Sequence, residues 1–314
     1  MPAPGAASAT FLLPARMRFG GQALPADLAK ALGRADRADV DAGERSQLTR
    51  HFDLLPRGWP VAAITRAFDA GDATLGAWVR ADPAYVRPDL SGARLMASGD
   101  ALQLDDAQAQ AFVAALRPSF GDAGIPIDAP RPARWYLRLP REAKVSAMTS
   151  PADALGEDLF EHLPDGPEGR RWRALLSEAQ ILLHQHPFNA ERVAAGKPPV
   201  NSLWFWGGGV LPDHVTTPYA NVHSNEITVR ALAKQANVRG VDLPPAFDAA
   251  GLYDLRPLRD LQRLADAWLR PALAAVRSGT LDTLILDCED GACWTFARPQ
   301  RWRFWRKPIG RLDA

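Results

Sequence analysis

Cysteine is nearly absent from this 314-residue chain, with Cys288 and Cys293 the whole complement. Two thiols exclude a disulfide-stapled scaffold, and their spacing around Glu289-Asp290-Gly291 is not that of a zinc site. A reduced structural pair facing across a hairpin is the expectation. Long hydrophobic runs are also missing. No window approaches the ~18 uninterrupted apolar residues of a membrane-spanning helix. Charge of one sign is lacking too. Lys and Arg number 37 against 36 Asp and Glu, a formal charge of +1, so bulk charge gives no argument for a nucleic-acid partner. GxGxxG, a P-loop lysine and GxSxG do not occur, and there is no internal repeat or low-complexity tract. Residues 1–9 are small and mostly polar, without a basic n-region or an apolar core. They are expected to be a disordered start and no signal, which places the protein in the cytoplasm.

What is there is an ordinary hydrophobic content of 47% and ten tryptophans. The most informative stretch is 201–212, an aromatic run that enters Gly207-Gly208-Gly209. Trp204 and Trp206 share one face of a strand, Leu203 and Phe205 the other, which predicts a central strand buried on both sides. Two readings of the glycines stand. They are a tight crossing of the chain at a strand end, or a loop whose backbone approaches an anion.

Along the chain, patterning predicts strands at 10–14, 77–80, 92–97, 134–139, 281–287 and 292–297. Helices are predicted at 24–32, 45–55, 105–116 with Asp105 as N-cap, 171–184, 224–233 and 258–276, the last broken or kinked at Pro271. Residues 34–45 read as loop, and 82–89 as too proline-rich for regular structure. The alternation defines an α/β protein.

Candidate chemistry is sparse. His184 and His186 sit near a helix end, where histidine favours the free carbonyls. Asp213, His214 and His223 follow the glycines, and Asn221, His223 and Asn225 would share one side of an extended segment. Residues beyond strand C-termini commonly line sites in α/β folds. The C-terminal run 298–311 holds six basic and three aromatic residues with no acid. It reads either as a half-buried edge strand guarded by arginine, or as a basic-aromatic tail touching anionic lipid or nucleic acid.

Asn201-x-Leu203-Trp204-x-Trp206-Gly207-x-Gly209-x-x-Pro212 resembles a segment of archaeal-type, cofactor-independent phosphoglycerate mutases of the alkaline phosphatase superfamily. Residues 82–87 are similar to the point where the inserted lobe of those enzymes begins. The runs 54–63, 78–89 and the 201 strand more closely resemble the proteobacterial RpfE-type regulatory proteins, over about residues 11–296. The resemblance implies an alkaline-phosphatase-like mixed sheet with flanking helices, formed by 10–75 plus 199–314. A smaller α+β lobe would be inserted at 76–198.

Mutase chemistry of that kind needs two divalent metals held by Asp and His clusters, and a Ser or Thr nucleophile. Here the first strand ends Leu12-Leu13-Pro14-Ala15-Arg16 without an acid. The nucleophile segment has no counterpart; Ser46 matches it too poorly to be nominated. The late strand is followed by Asp287-Cys288-Glu289-Asp290 without histidine.

The expectation is therefore a non-catalytic regulatory or ligand-binding protein, without a cofactor. Gly207, Gly208, Gly209, Asn221, His223 and Arg87 are the candidate ligand-binding residues, for a small anionic ligand. A protein partner is the other candidate, and nucleic acid is not expected. The rival is a working mutase or phosphatase using Mn or Zn, with Asp213, His214, His223, Asp287, Glu289 and Asp290 as ligands. A second rival is a membrane- or nucleic-acid-associating module acting through 298–311.

Overall fold

The computed structural model describes residues 7–89 and 92–313. Residues 1–6 of the expected disordered start lie outside them, whereas Ser8 and Ala9 already belong to the first strand. The chain divides into two compact units, Met1–Arg57 with Asp213–Ala314, and Gly58–Pro212. The divisions fall at 57/58 and 212/213, away from the expected 75/76 and 198/199. The reason is that the glycine-ended strand and the helix before residue 70 pack on the sheet of the second unit.

The first unit begins with β1 (Ser8–Leu13), buried along its whole length, and α1 (Ala26–Arg34), which turns Leu28, Ala29 and Leu32 inward. The presumed loop 34–45 contains β2 (Asp36–Asp39), exposed at every position. Charged and small residues gave it no apolar alternation, and such a strand suits a sheet edge. Next come α2 (Glu44–Thr49) and β3 (Asp53–Leu55), where one longer helix was expected.

The second unit follows with α3 (Val61–Asp69), β4 (Ala77–Asp89), β5 (Gly92–Ser98), α4 (Asp106–Asp122), β6 (Ile127–Arg131) and β7 (Arg134–Leu139). It ends with α5 (Gly166–His184), α6 (Pro187–Ala194) and β8 (Ser202–Gly209). Asp105 caps α4 as expected, its side chain accepting from Gln108 N at 2.8 Å. Strand β4 runs straight through the proline-rich 82–89. It pairs with β8 along one edge, and on the other with β7 up to Arg80 and β5 from Ala84. Pro83 falls in the gap between those two partners, where no ladder hydrogen bond is asked of it. Strand β8 is antiparallel to β4, its sole strand partner among the described residues, so it is not the expected central strand. Val61 and Ala62 of α3 lie against Gly207.

The chain returns to the first unit with β9 (His214–Thr216), β10 (Asn221–His223), α7 (Ile227–Gln235), β11 (Arg239–Val241) and β12 (Gly251–Asp254). One continuous helical run, α8 (Leu261–Arg263), a π-helical Leu264–Leu269 and α9 (Arg270–Ser278), comes next. The wide π turn directly before Pro271 accommodates its missing N–H, so the proline does not break the helix. β13 (Thr283–Cys288) and β14 (Ala292–Ala297) form the predicted hairpin.

The sheet order is β11-β10-β12-β1-β13-β14-β2. The first five strands are parallel, while β14 is antiparallel to both neighbours. One face is the main core. Phe11 lies edge-on to Tyr253 and Trp268, with ring centroids 5.6 and 5.9 Å away. The hairpin register sets Cys293 opposite Asp287, so Cys288, one residue on, points to the other face. The two thiols do not face each other, because alternation along a strand separates them. No described helix is long and apolar enough to cross a membrane.

Candidate functional site

Parallel strands of the first unit bring polar residues to their C-terminal ends, the usual place for a site in an open α/β sheet. Two carboxylates stand there. Asp254 ends β12 and Asp287 lies near the end of β13, and both are in register with Leu12 of the strand between them. Cross-strand register puts all three side chains on one face, opposite the Phe11 core. The carboxylates are thus two strand spacings apart, about 10 Å, with a buried leucine between.

Each carboxylate is held by an arginine through two parallel hydrogen bonds. Arg50 donates from Nε to Asp287 Oδ2 at 3.0 Å and from Nη2 to Oδ1 at 2.7 Å. Arg256 does the same to Asp254, at 2.7 and 2.9 Å, and reaches Glu44 at 2.6 Å through Nη1. Ser224 Oγ adds a bond to Asp254 Oδ2 at 2.8 Å. Forked guanidinium pairing is the strongest neutralisation that a side chain offers a carboxylate.

Asp287 also anchors a buried relay. His51 Nε2 lies 2.7 Å from Asp287 Oδ2, His51 Nδ1 3.0 Å from the Tyr219 hydroxyl, and that hydroxyl 2.8 Å from Thr10 Oγ1. With His51 as the neutral Nε2–H tautomer, each hydroxyl donates toward the histidine and the chain ends on the carboxylate. Burial pushes the Tyr219 phenol up to about 12 despite its bond to Thr10, which keeps it a donor. Burial would raise the Asp287 carboxyl as well. The hydrogen bonds from His51 and Arg50, and the charge of the guanidinium, outweigh that and hold it below the ordinary carboxylate range. Gln47 completes the floor, donating to the carbonyls of Leu13 at 3.0 Å and Asp287 at 2.6 Å.

The six residues of the metal-dependent rival are not brought together. Asp213 and His214 are exposed at the start of the β3–β9 ribbon. His223 is in register with Tyr253, on the sheet face away from Asp254 and Asp287, and stacks on that ring at 4.3 Å with 4° between planes. Burial lowers its pKa, which favours the neutral ring. Asp290 is engaged by Arg16 at 2.8 Å, and Glu289 lies in the hairpin turn. Among the described residues no group of three or more His, Cys, Asp or Glu could hold a metal. The donor set does not fit a two-metal centre, because the strand-end carboxylates already carry guanidinium counter-ions.

The ligand-binding candidates fall in different units: Gly207, Gly208, Gly209 and Arg87 in the second, Asn221 and His223 in the first. The glycines form a bulge in β8, two residues opposite Val79. A Cβ on Gly208 would stand 2.4 Å from Val145 Cγ1, and one on Gly209 2.8 Å from Pro60 Cβ. The tight-crossing reading describes them. Arg87 is exposed, nine residues along β4 from Trp78, the partner of Gly209. That is roughly 30 Å of strand. Sequence reasoning listed Asp287 but missed Arg50, His51, Tyr219, Asp254 and Arg256. A signal existed in adjacent Arg50-His51 and in Asp254-x-Arg256, but each gains meaning only through partners far away in the chain.

A mixed α/β protein with arginine-clamped acids at its strand ends is the class that these observations define. No family model matches the chain. Over 110 residues it is 34% identical to the 2,3-bisphosphoglycerate-independent phosphoglycerate mutase of Methanosarcina barkeri, covering 34% of this chain and 27% of that enzyme. Over 65 residues it is 40% identical to the probable enzyme of that name from Geobacter sulfurreducens, covering 21% of this chain and 16% of the relative. Through these stretches the chain is homologous to cofactor-independent phosphoglycerate mutases, and the matches span about a quarter or less of those relatives. Among solved structures, a cofactor-independent phosphoglycerate mutase from Thermoplasma acidophilum covers 93% of this chain and 89% of its own, at 13% identity and TM-score 0.44. A Pyrococcus horikoshii protein covers 93% and 87%, at 10% identity and TM-score 0.46.

Proposed function

We propose that the chain is a non-catalytic regulatory or ligand-binding protein on a phosphoglycerate mutase-like scaffold. One observation carries the reading: Asp254 and Asp287 are each closed by a forked arginine. A divalent cation would have to displace a guanidinium from a largely buried carboxylate, and breaking such a pair leaves an uncompensated charge that costs about 3–5 kcal/mol. Metal-assisted phosphoryl transfer then lacks both its cation and the donors that place it. The resemblance of 54–63, 78–89 and 201–212 to RpfE-type proteins supports the regulatory half of the reading. A small anionic ligand or a protein is the partner that it takes.

Elemental analysis of the purified protein, thermal unfolding with and without millimolar Mn or Zn, and a 3-phosphoglycerate to 2-phosphoglycerate assay test it together. The expected result is no stoichiometric metal, an unmoved transition and no turnover. A site filled at 100 times its Kd would stabilise the fold by about 2.7 kcal/mol, a shift the melt resolves. Bound metal with turnover would overturn the proposal and make the protein a working mutase.

A further inference from the structure

The C-terminal segment does not form the edge strand that its alternation predicts. Arg298–Trp302 is a 3-10 turn, and the chain beyond it is irregular but tied down. Gln300 donates to Asp36 at 2.9 Å and to the Thr295 carbonyl at 3.0 Å. Arg303 pairs with Asp36. Further on, Ile309 N donates to the Ala29 carbonyl at 2.9 Å and Gly310 O accepts from Leu24 N at 2.8 Å. Between these anchors the rings of Trp302, Phe304 and Trp305 point outward, 64%, 75% and 68% exposed.

Three large aromatics within four residues, on a segment fixed at both ends, are an exposed patch that the fold itself does not require. Beyond the Arg303–Asp36 and Arg311–Asp313 pairs, the charge left unpaired along the segment is of one sign. Arg298, Arg301, Arg306 and Lys307 are exposed and make no ion pair among the described residues. Arg301 lies over the Trp302 ring at 5.0 Å. Aromatic side chains enter the headgroup layer while neighbouring cations meet anionic phosphates, and each signal alone binds weakly. Phe304 and Trp305 are set edge-on, 5.5 Å apart with 80° between planes, which is not the platform of parallel faces on which successive bases stack.

We propose that residues 298–311 are a docking surface for an anionic lipid membrane. This surface is independent of the strand-end carboxylates and of the function read from them. The test is co-sedimentation of the full chain with phosphatidylcholine vesicles, with and without phosphatidylglycerol, across NaCl concentration. Single-stranded oligonucleotide binding is measured in parallel. Wild type is expected on the anionic vesicles alone and to come off as salt rises. Combined Trp302→Ala, Phe304→Ala and Trp305→Ala should weaken association at least about tenfold. Arg301→Gln, Arg306→Gln and Lys307→Gln together should weaken it similarly and flatten the salt dependence. Unchanged thermal unfolding in both variants establishes that they fold. Vesicle binding that the aromatic variant retains, equal binding to neutral vesicles, or binding to the oligonucleotide in place of vesicles would each overturn the proposal.

Discussion

Asp287 shows at the scale of one residue how this fold uses charge. Its side chain is 1% exposed yet accepts from Arg50 and His51, so the native state favours the ionised form. The folded pKa is depressed, so the group's contribution is present above the unfolded value near ~3.9 and is lost as pH falls through the lower folded one. Asp287→Asn keeps the shape and removes the charge, leaving Arg50 without its carboxylate. We expect a loss of about 3 kcal/mol in urea unfolding at neutral pH, at the low end for breaking a buried pair because Arg50 is 23% exposed. That difference should hold steady down to about pH 5 and narrow below about pH 4. A difference independent of pH over the acid range would mean that packing, and not ionisation, accounts for it. Asp287 was legible in the sequence as an acid after a strand. Its role was not, since His51 reaches it over 236 residues of chain, and Tyr219 reaches His51 over 168.

At the scale of elements, strand β8 separates what periodicity can read from what it cannot. Alternation marked it as a strand, and the glycines as an irregular end. Apolar residues on both faces pointed to a central position, but a strand can be buried on both faces without a second strand beside it: Trp172 of α5 packs on Phe205, and Val61 of α3 and Val145 lie against the glycines. The same limit explains β2 and the run 82–89: an exposed edge has no apolar rhythm, and a proline opposite a gap in the ladder costs no bond. The helices were clearer, because the cap of α4 and the apolar stripes of α4 and α5 are local. Gly207 sits at φ +65° with Val61 Cβ 3.1 Å from where its own Cβ would lie. Gly207→Ala therefore adds left-handed strain to a tight contact, and should lower the midpoint of chemical denaturation by the equivalent of about 2–3 kcal/mol. A smaller effect than 1 kcal/mol in this variant would show that the bulge relaxes, and would reopen the reading of the glycines as a loop whose backbone approaches an anion.

The whole molecule is built so that one unit interrupts the other at a single place. β3 and β9 pair antiparallel, and Asp213 N donates to the Leu55 carbonyl at 2.8 Å, so the points where the chain leaves and re-enters the first unit are adjacent. The main cores respect this division. One draws all its buried residues from 77–205, centred on Trp135, Phe112 and Trp204, and the other from 9–35 and 253–312. A unit whose ends meet, and whose main core is drawn from its own residues, pays little loop-closure entropy for removal of the insert. Replacing residues 57–212 by a short Gly-Asn turn should leave a protein with the far-UV signature of its parallel sheet and a cooperative melt. The segment 58–212 expressed alone should show a cooperative transition with near-UV bands from its tryptophans. If either piece lacks a cooperative transition, its core is not self-sufficient, and the insertion would be structural support and not a separable unit. Sequence similarity pointed to an inserted lobe but misplaced its borders by some 15 residues, because the adjacency of Leu55 and Asp213 is a property of pairing across the chain and leaves no local mark.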